Sequence, residues 1–191
     1  MNAYIITIGN ELLNGNTIDT NSAWLGRELD KLNINVKEKN TISDNKHDIE
    51  DSIKSVLNRN FAYIFITGGL GPTHDDITKS AVKNILKSDE YFDEDYYKEL
   101  KLKFKKRNIE MSENNREQAI LLSKCNSIKN PIGTALGMEF EFNNSRVFIM
   151  PGVPREMQVM MKDIVFPKYF SQNIKIKNNL TILTAGVSES L

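Results

Sequence analysis

The chain has 191 residues and a mass of 21.8 kDa, and 40% of its residues are hydrophobic, which suits one ordinary domain with a substantial core. Lysine plus arginine and aspartate plus glutamate both number 25, so no net field favours nucleic acid or an anionic membrane. Cys125 is the only cysteine and His47 and His74 are the only histidines, which excludes an internal disulfide, a cysteine-based zinc site and a histidine-rich metal site.

The first apolar run, residues 3–8, predicts a buried strand that ends at Gly9. It is too short for a signal-peptide core, and no stretch approaches the roughly 20 apolar residues that span a bilayer, so we predict a cytoplasmic protein. A helix follows, because leucines recur at helical spacing after a cap at Asp19 or Thr20. Asn33 suits the left-handed position that closes such a helix.

Strands and helices continue to alternate up to residue 86. Residues 34–42 alternate as a second strand, residues 49–57 have helical spacing, and residues 63–66 form a buried third strand. A helix is predicted from Asp75 to Leu86. The order β-α-β-α-β-α predicts a parallel α/β sheet with helices on both faces. Right-handed crossovers would then place the strand ends at one edge, where open sheets bind ligands.

The most informative motif follows the third strand. Gly68, Gly69, Leu70 and Gly71 permit a tight turn and let a ligand approach bare backbone, and a helix opens directly afterwards. A glycine loop before a helix N-terminus presents N–H groups to an anion, usually phosphate. A plain tight turn is the alternative. The chain carries no dinucleotide-binding GxGxxG motif and no P-loop.

Four carboxylates could meet at the same edge, and they are Glu11, Asp44, Asp75 and Asp76. Such a cluster would hold Mg²⁺ or Mn²⁺ and orient a water molecule. Simpler alternatives exist for each residue. Glu11 can be a solvated loop charge, and Asp44 can cap the next helix. Asp75 and Asp76, in a predicted first helical turn, can simply stabilise the helix by about 0.3–1 kcal/mol through its dipole. His74 is more typical of a phosphate contact than of a general base.

Residues 88–125 are charged and predict a helical excursion that either covers the ligand edge or meets another subunit. Tyr97, Leu100 and Phe104 suit one helix, and Ala119 and Leu122 suit a shorter one.

The remaining segment predicts a hairpin and then a helix. Residues 137–142 and 146–150 form the hairpin, which makes the sheet mixed, and a helix with a buried methionine stripe starts near Pro154. A last strand near residues 180–183 precedes a glycine turn. We therefore predict one α/β domain at residues 1–170, with residues 171–191 starting a small C-terminal β segment of a longer parent protein.

Five blocks carry a resemblance over nearly the whole chain: IGNELLNG (8–15), DTN (19–21), TGGLGPTHDDIT (67–78), NREQA (115–119) and MPGVPREM (150–157). They resemble the N-terminal domain of the competence/damage-inducible CinA family, which is related to the molybdopterin-binding domain of molybdenum-cofactor enzymes. The resemblance implies a three-layer α/β/α fold with a mostly parallel, mixed sheet. It also implies subunits that associate, as a dimer or a trimer.

The activity implied by the resemblance is metal-dependent hydrolysis of the ADP-ribose pyrophosphate to AMP and ribose 5-phosphate. The deamidase domain that follows in longer relatives is absent from this sequence. In the molybdopterin-adenylating relatives, the aspartates that match Asp76 and lie near Asp44 serve metal and nucleotide chemistry. Two departures are Asn10, where those enzymes usually have aspartate, and Leu136, where CinA relatives usually have proline.

The leading hypothesis is therefore a metal-dependent pyrophosphohydrolase of ADP-ribose or a related nucleotide. Asp76 and Asp44 would hold a divalent ion (Mg, Mn, Co or Ni), and Glu11 would complete the catalytic set. The residues assigned ligand contacts are Gly9, Asn10, Gly68, Gly69, Leu70, Gly71, Thr73, Asp75, Thr78 and Gly152. The alternatives are a protein that binds or adenylates molybdopterin and a nucleotide-binding module without turnover.

Overall fold

The computed structural model describes residues 1–71 and 77–170. The strands are β1 Asn2–Ile8, β2 Asn35–Ile42, β3 Tyr63–Thr67, β4 Glu90–Phe92, β5 Ile120–Leu122, β6 Asn126–Ile128, β7 Gly137–Phe142 and β8 Ser145–Met150. The helices are α1 Asn10–Leu13, α2 Thr20–Lys31, α3 Lys46–Leu57, α4 Thr78–Leu86, α5 Glu94–Lys106, α6 Glu113–Arg116, α7 Pro154–Met160 and α8 Phe166–Phe170. The strand predicted near 180–183 and the predicted C-terminal segment at 171–191 lie outside the described residues.

The main sheet of the described residues has six strands in the order β2-β1-β3-β8-β7-β6. The first four are parallel, and β7 is antiparallel to both β8 and β6. A two-residue turn that begins with Asn143, at a φ of 52°, joins β7 to β8. The mostly parallel, mixed sheet is thus confirmed, together with the hairpin that makes it mixed.

Helices cover both faces of this sheet. Tyr4, Ile6 and Ile8 of β1 belong to one buried cluster with α3 and α4, whereas Ala3 and Ile5 belong to the opposite cluster with α2 and α7. Because both faces are buried, the strand is apolar from Ala3 to Ile6 instead of alternating. The methionines of α7 lie in the second cluster, as the stripe predicted. These packing layers confirm the α/β/α architecture.

The excursion between β4 and β6 differs from the prediction. Helix α5 packs through Tyr96 and Leu100 onto Ala119, in a third buried cluster. The short helix predicted around Ala119 and Leu122 is wrong, since a 3₁₀ turn ends at Ala119 and Ile120–Leu122 pairs antiparallel with β4. A short apolar run fits either state, and here the available strand partner decides it.

Helix α4 also begins later than predicted, at Thr78 instead of near Asp75. Its N-cap is Ile77, which provides no side-chain hydrogen bond. Asp75 and Asp76 lie outside the described residues. Finally, no helix within residues 1–71 and 77–170 is both long and apolar enough to cross a bilayer.

Candidate functional site

The carboxyl ends of four parallel strands meet at one edge of the sheet. Ile8 of β1 is level with Ile42 of β2, and Thr67 of β3 is level with Met150 of β8. The pairing continues into the loops, because Gly68 N donates to Met150 O at 3.1 Å. After β1 the chain adds β2 on one side of β1, and it then crosses back to add β3 on the other side of β1. The strand order therefore reverses between β1 and β3. Ligands bind at such reversal points in open α/β sheets.

An opening of about 460 Å³ lies at this edge. Its lining includes the predicted residues Glu11, Asp44, Gly68, Gly69, Leu70, Gly71 and Gly152. The structure thus brings together the ends of separate strands, as predicted. Gly9, Asn10 and Thr78 do not line the opening. Thr73, Asp75 and Asp76, together with His74, lie outside the described residues.

The glycine loop is held from behind by Thr78, which is 0% exposed. Its hydroxyl donates to Gly68 O at 3.0 Å, and its backbone N donates to Gly69 O at 3.1 Å. Gly69 has a φ of 67°, and a Cβ built on it would stand 2.2 Å from Thr78 Oγ1. Thr78 was predicted to contact the ligand, but its place is beneath the loop that it shapes.

Asn21 fastens two of the strand ends together. Its Nδ2 donates to Thr67 Oγ1 at 2.9 Å and to Gly152 O at 2.8 Å. Thr67 Oγ1 in turn donates to Pro151 O at 3.0 Å. The sequence carried a signal for this role, because Asn21 occupies a position in the buried stripe of α2, four residues before Leu25.

Asp44 lines the opening and organises the loop after β1. Its Oδ2 accepts a hydrogen bond from Asn10 N at 2.9 Å. The alternative that Asp44 caps α3 is wrong, because Asn45 is the N-cap and its Oδ1 accepts from His47 N at 2.9 Å. Asn10 therefore contributes its backbone to this edge by holding Asp44.

Two further carboxylates face the same opening. The Glu11 side chain lies against Gly9, and a Cβ added to Gly9 would be 2.5 Å from Glu11 Oε1. Glu156, in the first turn of α7, accepts from Asn130 Nδ2 at 2.7 Å. Within the described part of the chain, however, no three or more His, Cys, Asp or Glu side chains assemble into a group that could hold a metal ion. Asp76, which was predicted to hold a metal ion together with Asp44, lies outside the described residues.

Sequence reasoning missed one wall of the opening, formed by Gln118, Thr134, Ala135 and Glu156. The only signals for two of them were the NREQA and MPGVPREM blocks, which contain Gln118 and Glu156. The resemblance placed the block 130–137, with its departure at Leu136, at the predicted edge, but it assigned no role to Thr134 or Ala135.

Helix α5 secures the loop that carries Thr134. The Tyr96 hydroxyl donates to Thr134 O, and Lys103 Nζ donates to Asn130 O at 3.0 Å and to Gly133 O at 3.3 Å. Burial raises the pKa of the Tyr96 hydroxyl, which therefore remains a donor across the physiological pH range. The predicted excursion thus supports one wall of the opening. Its other predicted role, at a subunit interface, stays a prediction.

Comparison with known proteins adds three findings. The family model described as a probable molybdopterin binding domain matches residues 4–170. A CinA-like protein of Flavobacterium psychrophilum is 38% identical over 203 residues, which cover 100% of this chain and 46% of that protein. The chain therefore spans about half the length of the curated relatives it matches.

Solved structures agree with these matches. The crystal structure of the protein CinA with unknown function from Thermoplasma acidophilum is 32% identical with a TM-score of 0.76, and the match covers 87% of this chain and 96% of that one. The tungsten cofactor synthesizing protein MoaB from Pyrococcus furiosus is 16% identical with a TM-score of 0.55, and the match covers 87% of this chain and 93% of that one. At that identity the likeness concerns the fold alone.

Proposed function

This chain belongs to the probable molybdopterin binding domain family, among its CinA-like members, and on that premise we propose that it binds a phosphate-bearing pterin of the molybdopterin type. The observation that carries the proposal is the glycine-lined opening between the ends of β1, β2, β3 and β8. Its volume of about 460 Å³ lies within the range of small-molecule sites, roughly 300–1,000 Å³.

The chemistry of the opening supports a phosphate group on that ligand. Gly68, Gly69, Gly71 and Gly152 form one part of its lining, and there a ligand meets bare backbone. Backbone N–H groups in such a loop stabilise anionic oxygens without any cationic side chain. The tungsten cofactor synthesizing protein MoaB from Pyrococcus furiosus shares this fold, which supports the ligand class.

Gly152 offers a test with a matched control. A Cβ at this position would lie 3.4 Å from Gly68 Cα, an ordinary contact, and Gly152 is exposed, so the backbone accepts a side chain here. We expect Gly152→Ala to bind molybdopterin within a few-fold of the wild-type protein. Gly152→Asp should bind at least tenfold more weakly, because its charge faces the phosphate, a loss of roughly 1.4 kcal/mol. Titration calorimetry measures both, and equal affinity of the two variants would refute the site.

A second candidate function is metal-dependent hydrolysis of the phosphoanhydride of ADP-ribose. It is favoured by the carboxylates of Glu11, Asp44 and Glu156 at the opening, since carboxylates repel an anionic ligand unless a cation lies between them. A bound Mg²⁺, Mn²⁺, Co²⁺ or Ni²⁺ would supply Lewis-acid activation of the phosphoryl group. In this proposal Asp44 and Asp76 hold the ion, and Glu11 orients the attacking water.

Hydrolysis is tested by chromatographic detection of AMP from ADP-ribose with each of the four metals. We expect Asp44→Asn and Asp76→Asn to abolish metal-stimulated turnover with the far-UV spectrum unchanged. Asp51→Asn, on an exposed part of α3 that does not line the opening, is the control and should keep full turnover. Undiminished turnover in Asp76→Asn would contradict the assignment.

The remaining alternatives have their own signatures. Adenylyl transfer would release pyrophosphate when the protein is given ATP, Mg²⁺ and molybdopterin together. A module without turnover would bind ADP-ribose and yield no AMP with any of the metals. Self-association, which we also propose, is tested by light scattering after size exclusion.

A further inference from the structure

A second cavity, of about 100 Å³, adjoins the opening at the glycine loop. Leu70, Gly71, Gln118 and Ala135 line both spaces, so the two share a wall. Beyond that wall, the apolar side chains of Leu122, Leu136, Met138 and Cys125 share the lining with four polar residues, Lys79, Glu117, Asn126 and Ser127. We call this space the leucine cavity.

Gln118 is the unusual residue of that shared wall. It is only 8% exposed, and neither its Nε2 nor its Oε1 has a hydrogen-bond partner within the part of the chain that the structure describes. Buried side-chain amides are normally paired, because an unpaired donor or acceptor loses its hydration without compensation. An amide with both atoms unpaired beside two cavities therefore indicates a missing ligand.

The backbone around Gln118 is held firmly, in contrast to its side-chain amide. Lys79 Nζ donates to Glu117 O at 2.9 Å and to Ile120 O at 3.1 Å, and Asp93 N donates to Ala119 O at 2.8 Å. These bonds fix the turn on both sides of Gln118. The amide is thus positioned in advance, which lowers the entropic cost of binding a partner.

We propose that the leucine cavity is a ring subsite, in which Gln118 recognises the edge of a flat, nitrogen-containing ring whose phosphates bind at the glycine loop. A glutamine amide presents a donor and an acceptor side by side, which matches the donor–acceptor edges of adenine and pterin rings. The leucine and methionine side chains match the apolar faces of such a ring. The inference rests on the proposed function, since the phosphate site orients the ring.

The dimensions limit how the ring enters. A cavity of about 100 Å³ is smaller than the roughly 150 Å³ that encloses benzene in an engineered protein core. The ring therefore enters in part, with the rest in the opening. Gln118 lines both spaces and so lies where the ring edge would pass between them.

Three ligands with a common diphosphate test this subsite, namely pyrophosphate, ADP and 6-hydroxymethylpterin diphosphate. Calorimetry gives the dissociation constant of each for the wild-type protein, for Gln118→Met and for Gln118→Glu, which lacks the Nε2 donor. Gln158→Met is the matched control, because Gln158 lines neither cavity. Tighter binding of ADP than of pyrophosphate would identify the ring as adenine, and tighter binding of 6-hydroxymethylpterin diphosphate would identify it as a pterin.

In the wild-type protein we expect one ring-bearing diphosphate to bind at least tenfold more tightly than pyrophosphate. The ring advantage is the ratio of the pyrophosphate dissociation constant to that of the ring-bearing ligand within one variant, and Gln118→Met and Gln118→Glu should each reduce it roughly tenfold. The added charge of Gln118→Glu should also weaken pyrophosphate itself, since Gln118 lines the opening. Without ligand, Gln118→Met should also melt roughly 2–8 °C higher, because it removes two unpaired buried groups. A glutamine with a purely structural role would instead lower the melting temperature when replaced.

Two results would overturn the inference. If pyrophosphate binds but neither ring adds affinity, or if both Gln118 variants keep the ring advantage, the ring subsite is wrong while the phosphate site stands. If none of the three ligands binds the wild-type protein, the proposed function and the ring subsite both fail.

Discussion

Gly69→Ala should destabilise the protein more than the same change at Gly15, although the two backbones are alike. Both residues have a positive φ, 67° at Gly69 and 78° at Gly15. An L-residue in this left-handed region costs about 1–2 kcal/mol. At Gly15 no atom lies within 4 Å of an added Cβ, so this backbone strain is the whole expected cost.

At Gly69 a contact adds to the strain. The new Cβ would stand 2.2 Å from Thr78 Oγ1, and the hydroxyl must therefore move. Moving it breaks the bond from Thr78 to Gly68 O at a buried position, which costs about 1–3 kcal/mol. With the backbone strain, the total for Gly69→Ala is roughly 2–5 kcal/mol. A domain of ordinary stability, about 5–15 kcal/mol, would still fold.

Urea unfolding followed by circular dichroism measures these differences. Gly26→Ala is the control of opposite sign, because Gly26 lies inside α2 with no atom within 4 Å, and alanine there should stabilise by roughly 0.5–1 kcal/mol. Gly69→Ala combined with Thr78→Ala should cost less than the sum of the single changes, since both remove the same hydrogen bond. Equal losses for Gly69→Ala and Gly15→Ala would show that Thr78 does not support the loop as described.

Three further predictions concern residues around the opening. Asn21→Leu should lose about 1–3 kcal/mol in the same urea assay, because the buried Thr67 Oγ1 and the part-buried Gly152 O lose their donor. A loss below about 0.5 kcal/mol would contradict the role of Asn21 at the strand ends. Tyr96→Phe should lower the free energy of unfolding by about 1–3 kcal/mol, because Thr134 O loses its hydrogen-bond donor. It should also weaken ligand binding, and an unchanged affinity in calorimetry would argue against a role for the loop that carries Thr134. Burial raises the pKa of Cys125 from 9.0 to about 12. At pH 8 the thiolate is therefore roughly a thousandfold less populated in the folded protein than in the unfolded chain. The folded protein should react with a disulfide reagent far more slowly than the urea-unfolded protein. Equal rates would refute that burial effect.

The convergence of loops at one edge was predictable because it follows from the order of elements. Apolar runs marked β1 and β3 as strands buried on both faces, and helical spacing marked α2 and α3 between them. A parallel sheet with right-handed crossovers leaves one arrangement for the strand ends. Gly68, Gly69 and Asp44 therefore line a single opening, as expected from the sequence.

The short segments were harder because local pattern does not decide them. Ile120–Leu122 has three apolar residues, which suit either a helical turn or a strand, and its pairing with Glu90–Phe92 settles the state. The partners are about thirty residues apart in the chain, so no local window contains both.

By itself, the sequence determined the layers of the fold, the edge where the site lies and the glycine loop at its centre, because hydrophobic period and backbone freedom are local properties. Only the tertiary structure decided that Thr78 supports that loop, that Asn21 fastens the strand ends and that Gln118 is left unpaired beside two cavities. Each of these roles depends on which polar atoms meet after the apolar surfaces are buried. That pairing is fixed by contacts between distant segments and cannot be derived from the spacing of residues along the chain.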